Sequence, residues 1–94
     1  MNQRSATPSP PIVLTFAASD PSGGAGMQAD LMTLSALGCH PLSVLTALTV
    51  QDTVGVASVL AVDAASVEEQ ARTLLEDMPV AAFKIGLLGS IENI

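Results

Sequence analysis

The chain has 94 residues, 49% of them hydrophobic, with three Lys and Arg against nine Asp and Glu for a formal net charge of -6. That length allows one small domain and falls short of the size at which an enzyme usually encloses a complete active site, while the apolar content supports a folded core. No basic stripe exists to neutralise a series of phosphates, so nucleic acid is excluded as an expected partner.

Residues 1–11 carry three prolines among small polar side chains and offer no face to bury, so they are expected to form a disordered tail. Ile12-Val13-Leu14-Thr15-Phe16-Ala17-Ala18 is apolar and β-branched with little alternation, as in a strand covered on both faces of a parallel sheet. It is too short, and too weakly flanked by the single Arg4, to be the core of a secretory signal. No run approaches the ~20 apolar residues of a membrane span, and no membrane partner is expected.

A Gly- and Ser-rich segment gives way to Gly26–Leu37, where Met27, Leu31, Leu34 and Leu37 fall near helical spacing, and Gly38 follows as a C-cap. Cys39-His40, the only Cys and the only His, is read as a turn before Pro41. An adjacent pair builds neither an internal disulfide nor a four-ligand site, so no metal is expected and a reducing cytoplasm is the expected compartment. Ser43–Val50 is a second buried strand, completing a βαβ unit.

Val56–Val62 is a third strand, expected to pair nearby or to lie at a sheet edge. Ser66 and Glu69 have capping-box spacing, with Ser66 as N-cap of a helix that presents Val67, Ala71, Leu74, Leu75 and Met78 on one face. Glu68 and Arg72 stand four apart on the other face, and Pro79 ends the helix. Ala81–Leu88 reads as a further buried strand, and Ser90–Ile94 as the opening of another helix. The class is α/β: a parallel sheet with flanking helices.

The chemistry concentrates at Ser19-Asp20-Pro21-Ser22-Gly23-Gly24-Ala25-Gly26. A strand feeding a Gly-rich turn that opens a helix presents free N–H groups and the positive end of the helix dipole at the strand's carboxyl edge, where α/β folds bind ligands. Gly23, Gly24 and Gly26 would let a ligand approach the main chain, although a tight turn that merely relieves sterics has the same composition. A Walker A loop fails because Met27, not Lys, follows Gly26, and the dinucleotide fingerprint G-x-G-x-x-G is not met.

The stretch Ala18–Leu31 resembles the A-G-S-D-x-S-G-G-A-G-x-Q-A-D-[LI] opening of the hydroxymethylpyrimidine kinase family. Val44–Thr53 is similar to its [VI]-x-T-A-[LV]-[TV]-x-Q-N-T block, and Lys84–Leu88 to its K-[IT]-G-M-L block, in the same order. The likeness runs from residue 12 onward. It implies that residues 12–94 are the amino-terminal part of a ribokinase-like kinase domain, a truncated three-layer fold. The implied reaction transfers the γ-phosphoryl of ATP, with Mg2+, to 4-amino-5-hydroxymethyl-2-methylpyrimidine and then to its monophosphate, in thiamine diphosphate synthesis.

Carried over by position, the resemblance places Gln51 on the aminopyrimidine ring, with Asp30, Ala18, Thr49 and Leu87 around it. Gln28 is read as structural, and Lys84 as either a structural ion-pair partner or a contact to a phosphate or acidic partner. The chain departs from the family at Ala18 for Gly, Met32 for Lys, Asp52 for Asn and Leu87 for Met, which leaves a pyridoxal-type substrate open. In the resembling family the catalytic residue and nucleotide site lie in the carboxy-terminal half, so no catalytic residue is assigned and the chain is expected to be an inactive fragment. The competing expectation is a non-catalytic binding module that forms a homodimer through an open sheet edge.

Overall fold

The computed structural model of the chain describes residues 9–94. Its elements are β1 (Ile12–Ala18), α1 (Gly26–Ala36), β2 (His40–Gln51), β3 (Val56–Ala61), α2 (Ala64–Asp77) and β4 (Ala82–Ile85), followed by a 3-10 turn at Ile91–Asn93. The first eight positions of the expected tail lie outside the described residues. Pro11 is tied to the sheet, its carbonyl accepting the His40 N–H at 2.8 Å.

Four strands form one sheet in the order β3-β2-β1-β4. β1 pairs in parallel with both β2 and β4, and β2 pairs antiparallel with β3. The sheet is therefore mixed, and its parallel part is the one expected. β3 satisfies both expectations for it: it neighbours β2 and forms an edge. Its direction follows from the tight turn at 52–55, where the Asp52 carboxylate accepts the N–H groups of Val54 at 2.8 Å and Gly55 at 3.1 Å. A turn that short can only return the chain antiparallel.

β1 lies inside the sheet, and successive side chains on it face opposite layers. Leu14, fully buried, clusters with Leu42, Val44 and Val67 of α2, with Ala71, Leu74 and Met78 packed alongside. Thr15, also fully buried, bonds to Asp30 of α1 instead. The helices consequently cover opposite faces, giving three layers. On α1 Met27 is buried and Leu31 and Leu34 half-buried, while Leu37 has left the helix and is exposed. On α2 Leu75, expected on the buried face, is exposed instead.

Several boundaries differ from the sequence expectation. α2 starts earlier, at Ala64, and its N-cap is Asp63, whose carboxylate accepts from Ser66 N at 3.0 Å and Ser66 Oγ at 2.8 Å. Ser66 is thus the capped residue, because an aspartate three positions upstream offers the stronger acceptor. β4 covers only Ala82–Ile85 and is exposed along its length, since Gly86 makes one last bond to Phe16 O at 2.7 Å before the chain turns away. The expected last helix is the 3-10 turn, held by Asn93, whose side-chain N–H groups donate to the carbonyls of Val62 and Leu88. His40, expected in a turn, is the first residue of β2. The Glu68–Arg72 ion pair forms on the exposed face of α2. Among the described residues no helix is long and apolar enough to cross a membrane.

The glycines of the β1–α1 turn are not equivalent. Gly26 has φ +63 and a Cβ there would stand 2.5 Å from the Ala18 carbonyl oxygen, whereas a Cβ on Gly24 would meet nothing closer than 3.8 Å. Gly26→Ala should therefore cost more than about 1–2 kcal/mol, the penalty of the left-handed conformation alone. Gly24→Ala should stay within about 0.5 kcal/mol of the parent. Urea unfolding of the two variants decides this; equal stabilities would contradict it.

Candidate functional site

The turn between β1 and α1 is organised by one side chain. Asp20 is 4% exposed. Its Oδ1 accepts from Ser22 N at 2.9 Å and Ser22 Oγ at 2.7 Å, and its Oδ2 accepts from Ala25 N at 2.9 Å. Its own N–H donates to Gln28 Oε1 at 2.7 Å, which gives Gln28 the structural role read from the sequence. The Ser22 hydroxyl, against the opposing effect of burial and with help from main-chain N–H groups of Ser22, Ala25 and Gly24, holds the Asp20 carboxyl below its usual 3.8. The loop's amide donors near α1 are thus partly consumed by the protein's own carboxylate, which leaves less for an external anion than the glycine pattern suggested.

The same turn is tied to the end of β2. Ser19 N donates to Ala47 O at 2.9 Å, and Thr49 Oγ1 donates to Ser19 O at 2.7 Å. Gln51 Nε2 in turn donates to Thr49 Oγ1 at 2.6 Å. Thr49 and Gln51 are two apart on a strand, so both point to one side of the sheet.

On the other flank of β1, Lys84 Nζ donates to Asp30 Oδ2 at 3.0 Å, and Thr15 Oγ1 donates to the same oxygen at 2.8 Å. Gly86 closes this side. A Cβ there would lie 3.2 Å from Lys84 Nζ and 3.3 Å from the Ala17 Cβ, so only glycine leaves the ammonium and β1 in place.

Between these flanks lies a cleft of about 190 Å³ at the carboxyl ends of β1, β2 and β4. Ala18, Gly26, Thr49, Gln51 and Leu87 of the expected site line it. Asp30 does not, but reaches it through Lys84, which does; Gly23 and Gly24 stand outside the lining. A larger groove between α2 and β2, at Ser43, Gln70 and Leu74, is shallow and away from the strand ends. Carboxyl ends of parallel strands with converging polar groups mark the cleft as the candidate site. The size suits a single small ring; drug-sized ligands occupy roughly 300–1,000 Å³.

Ser19, Asp20, Lys84 and Gly86 also line the cleft and were not assigned from the sequence. The signal for the last two was the two-residue spacing that puts both at one end of a strand. Of the departures, Asp52 spends its carboxylate on its own turn and Met32 is exposed on α1. Neither lines the cleft, whereas Ala18 and Leu87 do. Among the described residues no three His, Cys, Asp or Glu side chains gather as a metal site.

Comparison with known proteins bears on the fold that carries this cleft. The family model described as phosphomethylpyrimidine kinase matches residues 20–94. A hydroxymethylpyrimidine/phosphomethylpyrimidine kinase of Streptomyces coelicolor is 49% identical over 83 residues, which are 88% of this chain and 31% of that protein. The chain thus spans about a third of the length of such curated relatives. The crystal structure of a phosphomethylpyrimidine kinase from Clostridium difficile superposes with a TM-score of 0.84 at 46% identity, covering 88% of this chain and 36% of that one. An ADP complex of Bacillus subtilis pyridoxal kinase superposes with a TM-score of 0.82 at 32% identity, covering 90% and 34%. With a family model matched over most of its length and a fold shared with these vitamin kinases, the chain belongs to the phosphomethylpyrimidine kinase family.

Proposed function

We propose that residues 12–94 form the substrate-side part of a ribokinase-like kinase domain that phosphorylates 4-amino-5-hydroxymethyl-2-methylpyrimidine and its monophosphate for thiamine diphosphate synthesis. The setting is cytoplasmic, and ATP with Mg2+ is the phosphoryl donor. Among the described residues no three His, Cys, Asp or Glu side chains gather to hold a metal, and no metal contact is assigned to them. What they contribute is the binding and orientation of the ring whose hydroxyl is to be phosphorylated.

The observation that carries this reading is the state of Gln51. One of its two amide N–H bonds is spent on Thr49, which is itself anchored to Ser19. The remaining N–H and the side-chain carbonyl form an adjacent donor and acceptor at the cleft. An aminopyrimidine edge offers the complement, a ring nitrogen that accepts beside an amino group that donates. Ala18 and Leu87 supply apolar contacts to the ring, and Asp30 stands behind Lys84 on the far wall.

A pyridoxal-type substrate is the second reading, favoured by the close superposition on pyridoxal kinases. Pyridoxal carries no amino group beside its ring nitrogen, so the Gln51 pair would be half used. β3, an exposed edge strand presenting Val56, Val59 and Leu60, is the feature that would support a homodimer instead; size-exclusion chromatography reads it.

NMR titration of the chain with the aminopyrimidine and with pyridoxal should shift Ser19, Gly26 and Gln51 with the former at lower concentration. Gln51→Ala should weaken aminopyrimidine binding about tenfold, the value of one to two hydrogen bonds. Tighter pyridoxal binding, or shifts confined to α2, would overturn the assignment.

The Asp20 loop gives a pH dependence. A carboxyl held below 3.8 in the folded chain contributes order that is complete above that value and is lost as pH falls through its lower folded-state midpoint. Titration of the Asp20 carboxyl carbon by NMR should give a midpoint below 3.8, with the Ser22 and Ala25 amide signals moving alongside it. A midpoint at or above the ordinary value would contradict the hydrogen-bond account.

A further inference from the structure

We propose that Lys84 is a specificity-determining residue that contacts the ligand, donating to the hydroxyl oxygen of a hydroxymethyl group on the ring carbon next to the amino-bearing carbon read by Gln51. Asp30 and Thr15 are positioning residues that act through it. The inference rests on the function proposed above and assigns the atom recognised by the second wall of the cleft.

Lys84 and Asp30 play unequal parts in their ion pair. The Lys84 side chain is 47% exposed and lines the cleft, whereas the Asp30 side chain is 15% exposed and lies behind it. Asp30 Oδ2 is fixed from two directions, by Lys84 at 3.0 Å and by Thr15 at 2.8 Å, and Thr15 is the register neighbour of Lys84 on the adjacent strand. One N–H of the ammonium is thereby pinned. The other two have no protein acceptor among the described residues, and the side chain that carries them lines the cleft. Gly86 keeps that position open, since any side chain there would crowd the ammonium. A purely structural ion pair would need neither a half-exposed ammonium nor a glycine beside it.

The sheet supplies the span. Gln51 stands on β2 and Lys84 on β4, with β1 between them, so two strand spacings of about 4.8 Å separate their main chains. One aromatic ring with a one-carbon arm bridges such a gap when side chains reach in from both walls. The charges select the acceptor. The ammonium is balanced by the Asp30 carboxylate behind it, with Asp20 also lining the cleft, so a neutral hydroxyl suffices as its acceptor and no anionic group is required.

The test compares two ligands on three proteins, using the full chain and NMR titration. The ligands are the hydroxymethyl aminopyrimidine and its analogue bearing a methyl in place of the hydroxymethyl. The proteins are the parent, Lys84→Met and the double variant Lys84→Met/Asp30→Asn, which leaves no stranded carboxylate should the single variant fail to fold. The parent should prefer the hydroxymethyl ligand about tenfold, the worth of one charge-assisted hydrogen bond. Both variants should bind the two ligands within about twofold of each other. A preference that survives in the variants overturns the proposal, as does an equal loss for both ligands, which a structural ion pair would give. If the parent binds both ligands without preference, this inference fails and the proposed function stands; if it binds neither, both fail.

Discussion

Asp20 is a carboxylate taken almost out of water and surrounded by donors from the next five residues. Burying an ionised carboxyl without such partners would be prohibitive, so the loop is obliged to fold around it. Once it does, Ala25 and Gly26 are delivered to the start of α1, and Gly26 packs against the last carbonyl of β1 with no room for a side chain. Ser19, next to Asp20, is bonded to β2 at Ala47 and Thr49. One buried charge thus fixes the relation of β1, β2 and α1, and with it the wall of the cleft on which Gln51 stands.

The opposite wall is built by different means. β4 is short and exposed, and what holds it to the site is the convergence of Lys84 and Thr15 on a single oxygen of Asp30. The two walls differ in character: the β2 side presents a neutral amide hydrogen-bond pair, the β4 side a single cation backed by a carboxylate. Such asymmetry would let the cleft tell apart the two orientations of the proposed ring, because turning it over would bring the ring's amino donor towards the ammonium.

Much of this was legible in the residues because it depends on local pattern. The unbroken apolar run of β1 gave its boundaries, and the spacing of Val67, Ala71, Leu74 and Met78 gave the buried face of α2. Four of the five residues expected around the ring, Ala18, Thr49, Gln51 and Leu87, do line one cleft. What escaped depends on contacts between distant segments. Asp63 competes with Ser66 for the helix start, and the capping-box spacing of Ser66 and Glu69 pointed to the wrong one of the two. Asp20 stood in the sequence as one polar residue of the Gly-rich turn; its burial is visible only when α1 is folded back over β1. Lys84 acquires its meaning from Asp30, 54 positions away in the chain.

Membership of the phosphomethylpyrimidine kinase family and the fold shared with pyridoxal kinases leave the choice of ring to the few side chains at the strand ends. The small cleft between β2 and β4 is the proposed seat of that ring. Intermolecular nuclear Overhauser effects between the bound aminopyrimidine and the methyl-labelled chain test it most directly. The ring's methyl and aromatic protons should report proximity to the Ala18 and Leu87 methyl groups, which line that cleft. Contacts to Leu74 in the wider groove between α2 and β2, with none to Ala18, would contradict it.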